Sequence, residues 1–172
     1  MDFVALRWLF AVAITIHNTE EALYLPAWSM TAGRWHSHVS APVFRFAVVV
    51  LTLAGYILAL LVTLTGRQSI PAYLIAGYAL AMLLNVIMPH AAATLVLRRY
   101  APGLGTALVF NLPVTVLLID QGIRTEYIAL DTFVWAGPLV VLGVLASLPI
   151  LFALGRRLSV DTLNSSPDQG TN

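Results

Sequence analysis

The sequence contains no cysteine and no lysine, and only 10% of its 172 residues are charged. Without cysteine the chain has no disulfide, no thiolate nucleophile and no cysteine-ligated zinc. The charged fraction lies far below the roughly 25% of soluble domains. Together with 59% hydrophobic residues, it predicts a membrane protein. The formal net charge of +1 lacks the clustered positive charge that nucleic-acid binding requires, so no nucleic-acid partner is expected.

Long apolar runs, in contrast, are abundant. A helix needs about 20 predominantly apolar residues to cross a bilayer. Runs of about that length predict an all-α bundle of five transmembrane helices, over Phe3–Leu25, Val43–Leu64, Ile70–Leu97, Leu104–Ile119 and Tyr127–Leu154. This transmembrane domain takes up residues 1–159, and the polar residues 160–172 predict a short disordered C-terminal tail.

The arginines predict the orientation of the bundle. Five spans place the two termini on opposite sides of the membrane. Most arginines in the loops and flanks fall on the side of the C-terminus, namely Arg34, Arg45, Arg98, Arg99, Arg156 and Arg157. Because cytoplasmic segments are enriched in basic residues, we expect an integral protein of the plasma (inner) membrane with the N-terminus outside and the C-terminus in the cytoplasm.

The first predicted span carries three ionisable residues close together. His17, Glu20 and Glu21 stand at positions i, i+3 and i+4, so they share one helix face within about 100°. Ionisable residues at membrane depth mark a functional site by default. His17 and His90 lie nine and eight residues before the cytoplasmic ends of the first and third spans. Since these spans run in the same direction, the two histidines are predicted to share one depth.

Two asparagines and two prolines belong to the same layer. Asn85 lies five residues before His90, and Asn111 lies seven residues into the fourth span. Both are candidate substrate-binding residues. Pro89 and Pro113 lack a backbone N–H donor and are expected to interrupt their helices beside these polar residues. Interrupted helices are tolerated at membrane depth where they line a cavity, so the prolines predict a pocket.

Two short motifs carry a resemblance to a known family. Residues 17–21 read H-x-x-E-E, and residues 100–103 read Y-x-P-G. With His90 between them, they resemble the HXXEE-domain family of integral membrane proteins over nearly the whole chain before the tail. The resemblance implies about five spans and a metal-dependent membrane enzyme, and it names no substrate. The family's second histidine corresponds by position to His90, whereas the loop residues His36 and His38 fit less well.

The same residues are suited to a metal site. His17 and Glu21, one helical turn apart, can chelate an ion as a pair, and His90 completes a set of two histidines and one carboxylate. Such a set serves catalytic zinc and non-haem iron, so a divalent metal, zinc or iron, is expected. Glu20 is then free to act as a general base, although the sequence equally allows Glu20 and Glu21 to exchange roles. Tyr100 is the second candidate catalytic residue, covering the pocket from the cytoplasmic side, unless it only opens a turn.

The expected reaction is the activation of water for hydrolysis or hydration. The substrate is expected to be apolar, amphipathic or lipid-like and to enter from the bilayer, because the chain has no room for a soluble domain. Three alternatives use the same residues. They are a metal-free acid–base enzyme of the isomerase or cyclase type, a proton-coupled transporter, and a structural cluster in which one carboxyl is protonated and the other pairs with His17.

Overall fold

The computed structural model describes residues 1–33 and 38–164, and within that part of the chain it contains no β-strand. The long helices are α1 (Phe3–Ser29), α2 (Ala41–Thr65), α3 (Ile70–Leu97), α4 (Leu104–Arg124) and α5 (Leu130–Asn164). The predicted all-α bundle is therefore confirmed. Arg34, His36 and residues 165–172, which include most of the predicted tail, lie outside the described residues.

Within the described residues, four helices, α2 to α5, are long and apolar enough to cross a membrane, α5 over Leu130–Ser159. The chain is therefore a membrane protein, with one such helix fewer than the five predicted. The difference is α1, which has 27 residues but also contains Arg7, Glu20 and Glu21. These charges lower its apolar character. Arg7 is only 3% exposed, and the Glu21 side chain is 12% exposed, so both are directed into the bundle.

Several helix boundaries differ from the predicted ones, and the first is that of α1, which was expected to end at Leu25 before Pro26 but continues to Ser29. The fourth helix was expected to stop at Ile119, before Asp120, but it continues to Arg124. Asp120 and Arg124 stand one turn apart and form an ion pair, with 2.8 Å between the carboxylate and Nε, so both charges are compensated on the helix surface. The fifth helix begins at Leu130 rather than Tyr127, and it includes residues 160–164 of the predicted tail.

Two helices widen beside polar residues. α3 is π-helical over Val86–Ala91, and α4 is π-helical over Ala107–Asn111. Pro89 lies in the first of these segments, where Met88 leaves the helical conformation at φ −126° and ψ 120°. A proline ring clashes with the carbonyl four residues earlier and removes one hydrogen bond. The interruption predicted at Pro89 is confirmed. The second widened turn ends at Asn111, directly before Leu112 and Pro113.

The packing of α1 against α2 and α4, and of α3 against α4 and α5, defines the interior. Phe10 of α1 meets Tyr78 of α3 edge to face, with ring centroids 5.5 Å apart. Phe3 stacks on Tyr127 at 4.4 Å and so holds the start of α1 against the loop before α5. These contacts direct the polar faces of α1, α3 and α4 toward one shared interior.

Candidate metal centre

Three side chains from α1 and α3 converge in the interior of the bundle. Glu21 Oε1 lies 3.6 Å from His17 Nε2 and 3.1 Å from His90 Nε2. The imidazole centroids are 5.1 Å apart, and the rings are nearly perpendicular, at 86°. One ligand atom from each residue lies within 4.8 Å of the other two, so the three could hold a metal ion. The proximity of His17 and His90 that their shared depth predicted is confirmed.

Asn85 reaches the same point. Its amide nitrogen Nδ2 lies 3.0 Å from His90 Nε2 and 3.3 Å from His17 Nε2. Asn85 precedes the π-helical segment of α3 and His90 lies inside it, so the widened turn brings both side chains to the cluster. The substrate-binding role predicted for Asn85 remains a prediction.

The burial of this cluster suits a cation. His17 is 0% exposed and His90 is 1% exposed, so two imidazoles and one carboxylate meet almost without water. An isolated carboxylate is costly to bury unless a positive charge or hydrogen bonds compensate it. A divalent ion held by His17, Glu21 and His90 would provide that compensation, and zinc and iron both accept a donor set of two nitrogens and one oxygen.

Gly103, the last residue of the Y-x-P-G motif, closes the cluster from the loop before α4. Its φ is +95°, in the region that favours glycine. A Cβ at this position would lie 2.5 Å from His90 Cε1 and 3.0 Å from His17 Cε1. Any other residue would therefore displace the two imidazoles, which accounts for glycine at this position.

Glu20 faces away from the histidine pair, toward α4. Its Oε1 accepts a hydrogen bond from the Tyr100 hydroxyl at 2.5 Å, and its Oε2 accepts one from the Thr106 hydroxyl at 2.7 Å. Thr106 Oγ1 also lies 3.1 Å from His17 Nδ1. With Nδ1–H donating to Thr106, the Nε2 lone pair of His17 is directed into the cluster, which is the tautomer that a metal ligand requires.

Tyr100 joins this network to the surface. The residue is 53% exposed, and its hydroxyl accepts a hydrogen bond from the Gly105 N–H at 2.8 Å. Partial burial and the hydrogen bond to Glu20 raise the pKa of Tyr100 above its ordinary value of 10.0, so the phenol stays a neutral donor. Tyr100 is hydrogen-bonded to Glu20, whereas its predicted cover over a pocket and its catalytic role remain predictions.

Thr106 is a residue of the site that the sequence did not single out. The only signal for Thr106 was a hydroxyl residue three positions after Gly103, in the first turn of α4.

Asn111 is fully buried, but its amide nitrogen and oxygen have no hydrogen-bond partner among the described residues, so it is not bonded to the cluster.

Comparison with known proteins places these residues in a family. The sequence pattern described as "Protein of unknown function with HXXEE motif" matches residues 8–118. The chain belongs to this HXXEE family. It is also 36% identical over 150 residues to the uncharacterized protein YrkK of Bacillus subtilis (strain 168), an alignment that covers 87% of this chain and 95% of YrkK. No solved structure matches the chain. The cluster and its Glu20–Thr106 network lie wholly within the part that the HXXEE pattern covers.

Proposed function

We propose that the protein is a metal-dependent integral membrane enzyme that activates water at its His/Glu cluster and hydrolyses or hydrates an apolar or lipid-like substrate. The observation that carries the proposal is the convergence of His17, Glu21 and His90 from two helices on one buried point. A structural role alone would not require two imidazoles with their Nε2 atoms directed at the same carboxylate oxygen. Intramembrane ionisable residues are costly, and functional sites are where they are found.

Each residue of the site has a proposed role. A divalent cation, zinc or iron, would supply the positive charge that lowers the pKa of water and polarises a substrate oxygen. His17, Glu21 and His90 hold it, and Glu20 is the proton-accepting group. Tyr100 donates to Glu20 and is half exposed, so it can exchange that proton with solvent.

The proposed substrate class follows from two further features. The buried amide of Asn111 offers one donor and one acceptor without partners among the described residues, which suits a polar group on the substrate. An apolar cavity of about 560 Å³ between α2, α3 and α5 has room for a hydrocarbon chain, and it is lined in part by Leu51, Leu74 and Val140. None of the residues that line this cavity belongs to the cluster, so the cavity supports the apolar class of the proposed substrate and not its path to the metal.

The proposed location is the plasma (inner) membrane, with the C-terminus in the cytoplasm. The excess of arginine on the side of the C-terminus supports this orientation. The cluster then lies in the cytoplasmic half of the bilayer, and Tyr100 faces the cytoplasm.

The experiment that tests the function compares cells producing the wild type with cells producing Glu20→Gln. The amide matches the carboxylate in shape but cannot accept the proton. The variant is expected to keep its metal, while lipid species that the wild type converts accumulate, as measured by mass spectrometry of extracted lipids. Identical lipid profiles in wild-type, Glu20→Gln and non-producing cells would contradict the proposal.

A metal-free acid–base enzyme is the second candidate, and one distance favours it. Glu21 Oε1 and His90 Nε2 lie 3.1 Å apart, which is hydrogen-bond distance, so this pair can share a proton without an ion. Turnover that survives complete removal of metal by a chelator would select this candidate, whereas turnover that is lost and restored by added metal would exclude it.

A further inference from the structure

We propose that Asn85 is a fourth protein ligand of the metal, bound through its side-chain oxygen Oδ1. This inference rests on the metal site of the proposed function and adds a residue to it. It also narrows the choice of ion.

The distances around Asn85 are those between neighbouring ligands of one ion. For bonds of about 2.0–2.2 Å, two ligand atoms lie about 3.3–3.6 Å apart in a tetrahedron and about 2.8–3.1 Å apart at neighbouring positions of an octahedron. The amide end of Asn85 lies 3.0 Å from His90 Nε2 and 3.3 Å from His17 Nε2. Glu21 Oε1 lies 3.1 Å and 3.6 Å from the same two nitrogens. Asn85 and Glu21 are thus placed equivalently with respect to the histidines.

The amide of Asn85 is free to present its oxygen. Its Nδ2 is near both imidazole nitrogens, and its side chain makes no other hydrogen bond within residues 1–33 and 38–164. A half-turn of the amide exchanges Nδ2 and Oδ1 at nearly the same positions. When both Nε2 lone pairs bind a cation, Nδ2 has no acceptor left there, and the cation attracts the carbonyl oxygen instead.

The shape of α3 supports a shared role for Asn85 and His90. In a regular α-helix, residues five positions apart point about 140° away from each other. The break at Met88, which leaves the helical conformation at φ −126° and ψ 120°, changes the direction of the helix between these two residues. As a result the Asn85 amide and the His90 imidazole meet, with 3.0 Å between Nδ2 and Nε2.

A fourth ligand restricts the metal. Four protein ligands would close a tetrahedral zinc site, and catalysis requires an open position. Two imidazoles, one carboxylate and one amide oxygen instead suit an ion with more than four coordination positions, such as Fe²⁺ or Mn²⁺. Zinc would serve only in a five-coordinate state.

The test uses Co²⁺ as the probe, because its visible absorption depends on the number and geometry of its ligands. Co²⁺ is titrated into the purified full chain in detergent, for the wild type, Asn85→Leu, Asn85→Asp and Asn18→Leu. Asn18 is the matched control. It is a buried asparagine next to His17 in the sequence, but it bonds Thr52 on α2 instead of the cluster.

Asn85→Leu is expected to weaken Co²⁺ binding at least about 10-fold and to change the spectrum. Asn85→Asp, which offers a charged oxygen but cannot donate a hydrogen bond, is expected to bind more tightly than the wild type. Asn18→Leu is expected to match the wild type. If Asn85→Leu does not fold, Asn85→Asp decides between the two roles. If Asn85 served only as a hydrogen-bond donor, Asn85→Asp would remove that donor and weaken Co²⁺ binding.

Two results would overturn the inference, and they are distinguishable. If Asn85→Leu binds Co²⁺ with wild-type affinity and spectrum, or Asn85→Asp binds more weakly, Asn85 is not a ligand and the three-residue site stands. If the wild type binds no Co²⁺, Fe²⁺ or Mn²⁺ at all, the proposed metal site fails together with this inference.

Discussion

At the scale of single residues, adjacent carboxylates on α1 have different partners. Glu21 contacts His17 and His90, whereas Glu20 accepts hydrogen bonds from Tyr100 and Thr106. Successive residues of a helix point about 100° apart, so one side chain enters the cluster and the other meets α4. Glu20 is thus connected to His17 through Thr106, whose hydroxyl lies 2.7 Å from Glu20 Oε2 and 3.1 Å from His17 Nδ1.

A substitution at Gly103 is expected to disturb both imidazoles. In Gly103→Ala the new methyl group would lie 2.5 Å from His90 Cε1, so the rings must move apart. The positive φ adds roughly 1–3 kcal/mol of backbone strain. We expect the variant to unfold at lower temperature and to bind metal more weakly, measured by thermal unfolding and by metal titration.

Gly66→Ala is the control for backbone strain alone. Gly66 also has a positive φ, +77°, but nothing lies within 4 Å of the position of its Cβ. It should lower the unfolding temperature and leave metal affinity unchanged. Equal metal affinity in Gly103→Ala and the wild type would contradict the placement of Gly103 against the histidines.

The residues of the site were predictable only in part. His17 and His90 could be matched because depth follows from the helical rise, which needs no knowledge of packing. The roles of Glu20 and Glu21 could not be separated, since both lie on the inward side of α1 and only the positions of α3 and α4 distinguish them. Thr106 gave almost no signal, because a threonine in a membrane helix is commonly satisfied by the carbonyl of its own helix.

At the scale of elements, the break in α3 is the feature that builds the cluster. Pro89 is expected to cause it, because proline cannot donate the hydrogen bond of a regular turn. In Pro89→Ala the donor returns and α3 can form an uninterrupted α-helix, in which Asn85 and His90 diverge. We expect the variant to keep or gain helicity by circular dichroism and to lose metal affinity.

Pro149→Ala is the matched control for this prediction. Pro149 also lies inside a long helix, α5, and its side chain is exposed. Its replacement should leave metal binding at the wild-type level. Wild-type metal affinity in Pro89→Ala would show that the cluster does not depend on the break.

The helices themselves were largely predictable, and the wrong end predicted for α4 has a clear cause. The apolar runs predicted α2 and α3 almost to the residue, because burial in lipid selects for length and apolarity alone. A charged residue predicted a helix end wrongly where a neighbouring residue of opposite charge compensates it. Asp120 suggested an end to α4, but its pairing with Arg124 lets the helix continue. The π-helical turns were expected only as interruptions, since their register depends on tertiary contacts.

At the scale of the whole molecule, the orientation in the membrane can be measured with single cysteines, because the chain has none. Ser166→Cys is expected to resist an impermeant thiol reagent in intact cells and to react after lysis. Gln68→Cys, in the turn between α2 and α3, is expected to react in intact cells. The reverse pattern would place the C-terminus outside the cell and the cluster in the outer half of the membrane.

The central claim is that the bundle holds a metal ion between α1 and α3. The most direct measurement is the metal content of the purified chain after loading with Zn²⁺, Fe²⁺ or Mn²⁺ and removal of excess ion, by elemental mass spectrometry. The wild type is predicted to retain a stoichiometric amount of one of these metals. His17→Ala, Glu21→Ala and His90→Ala should each lose most of it, while His38→Ala, in the loop before α2, should retain it. A wild type without metal, or cluster variants that retain as much as His38→Ala, would contradict the account.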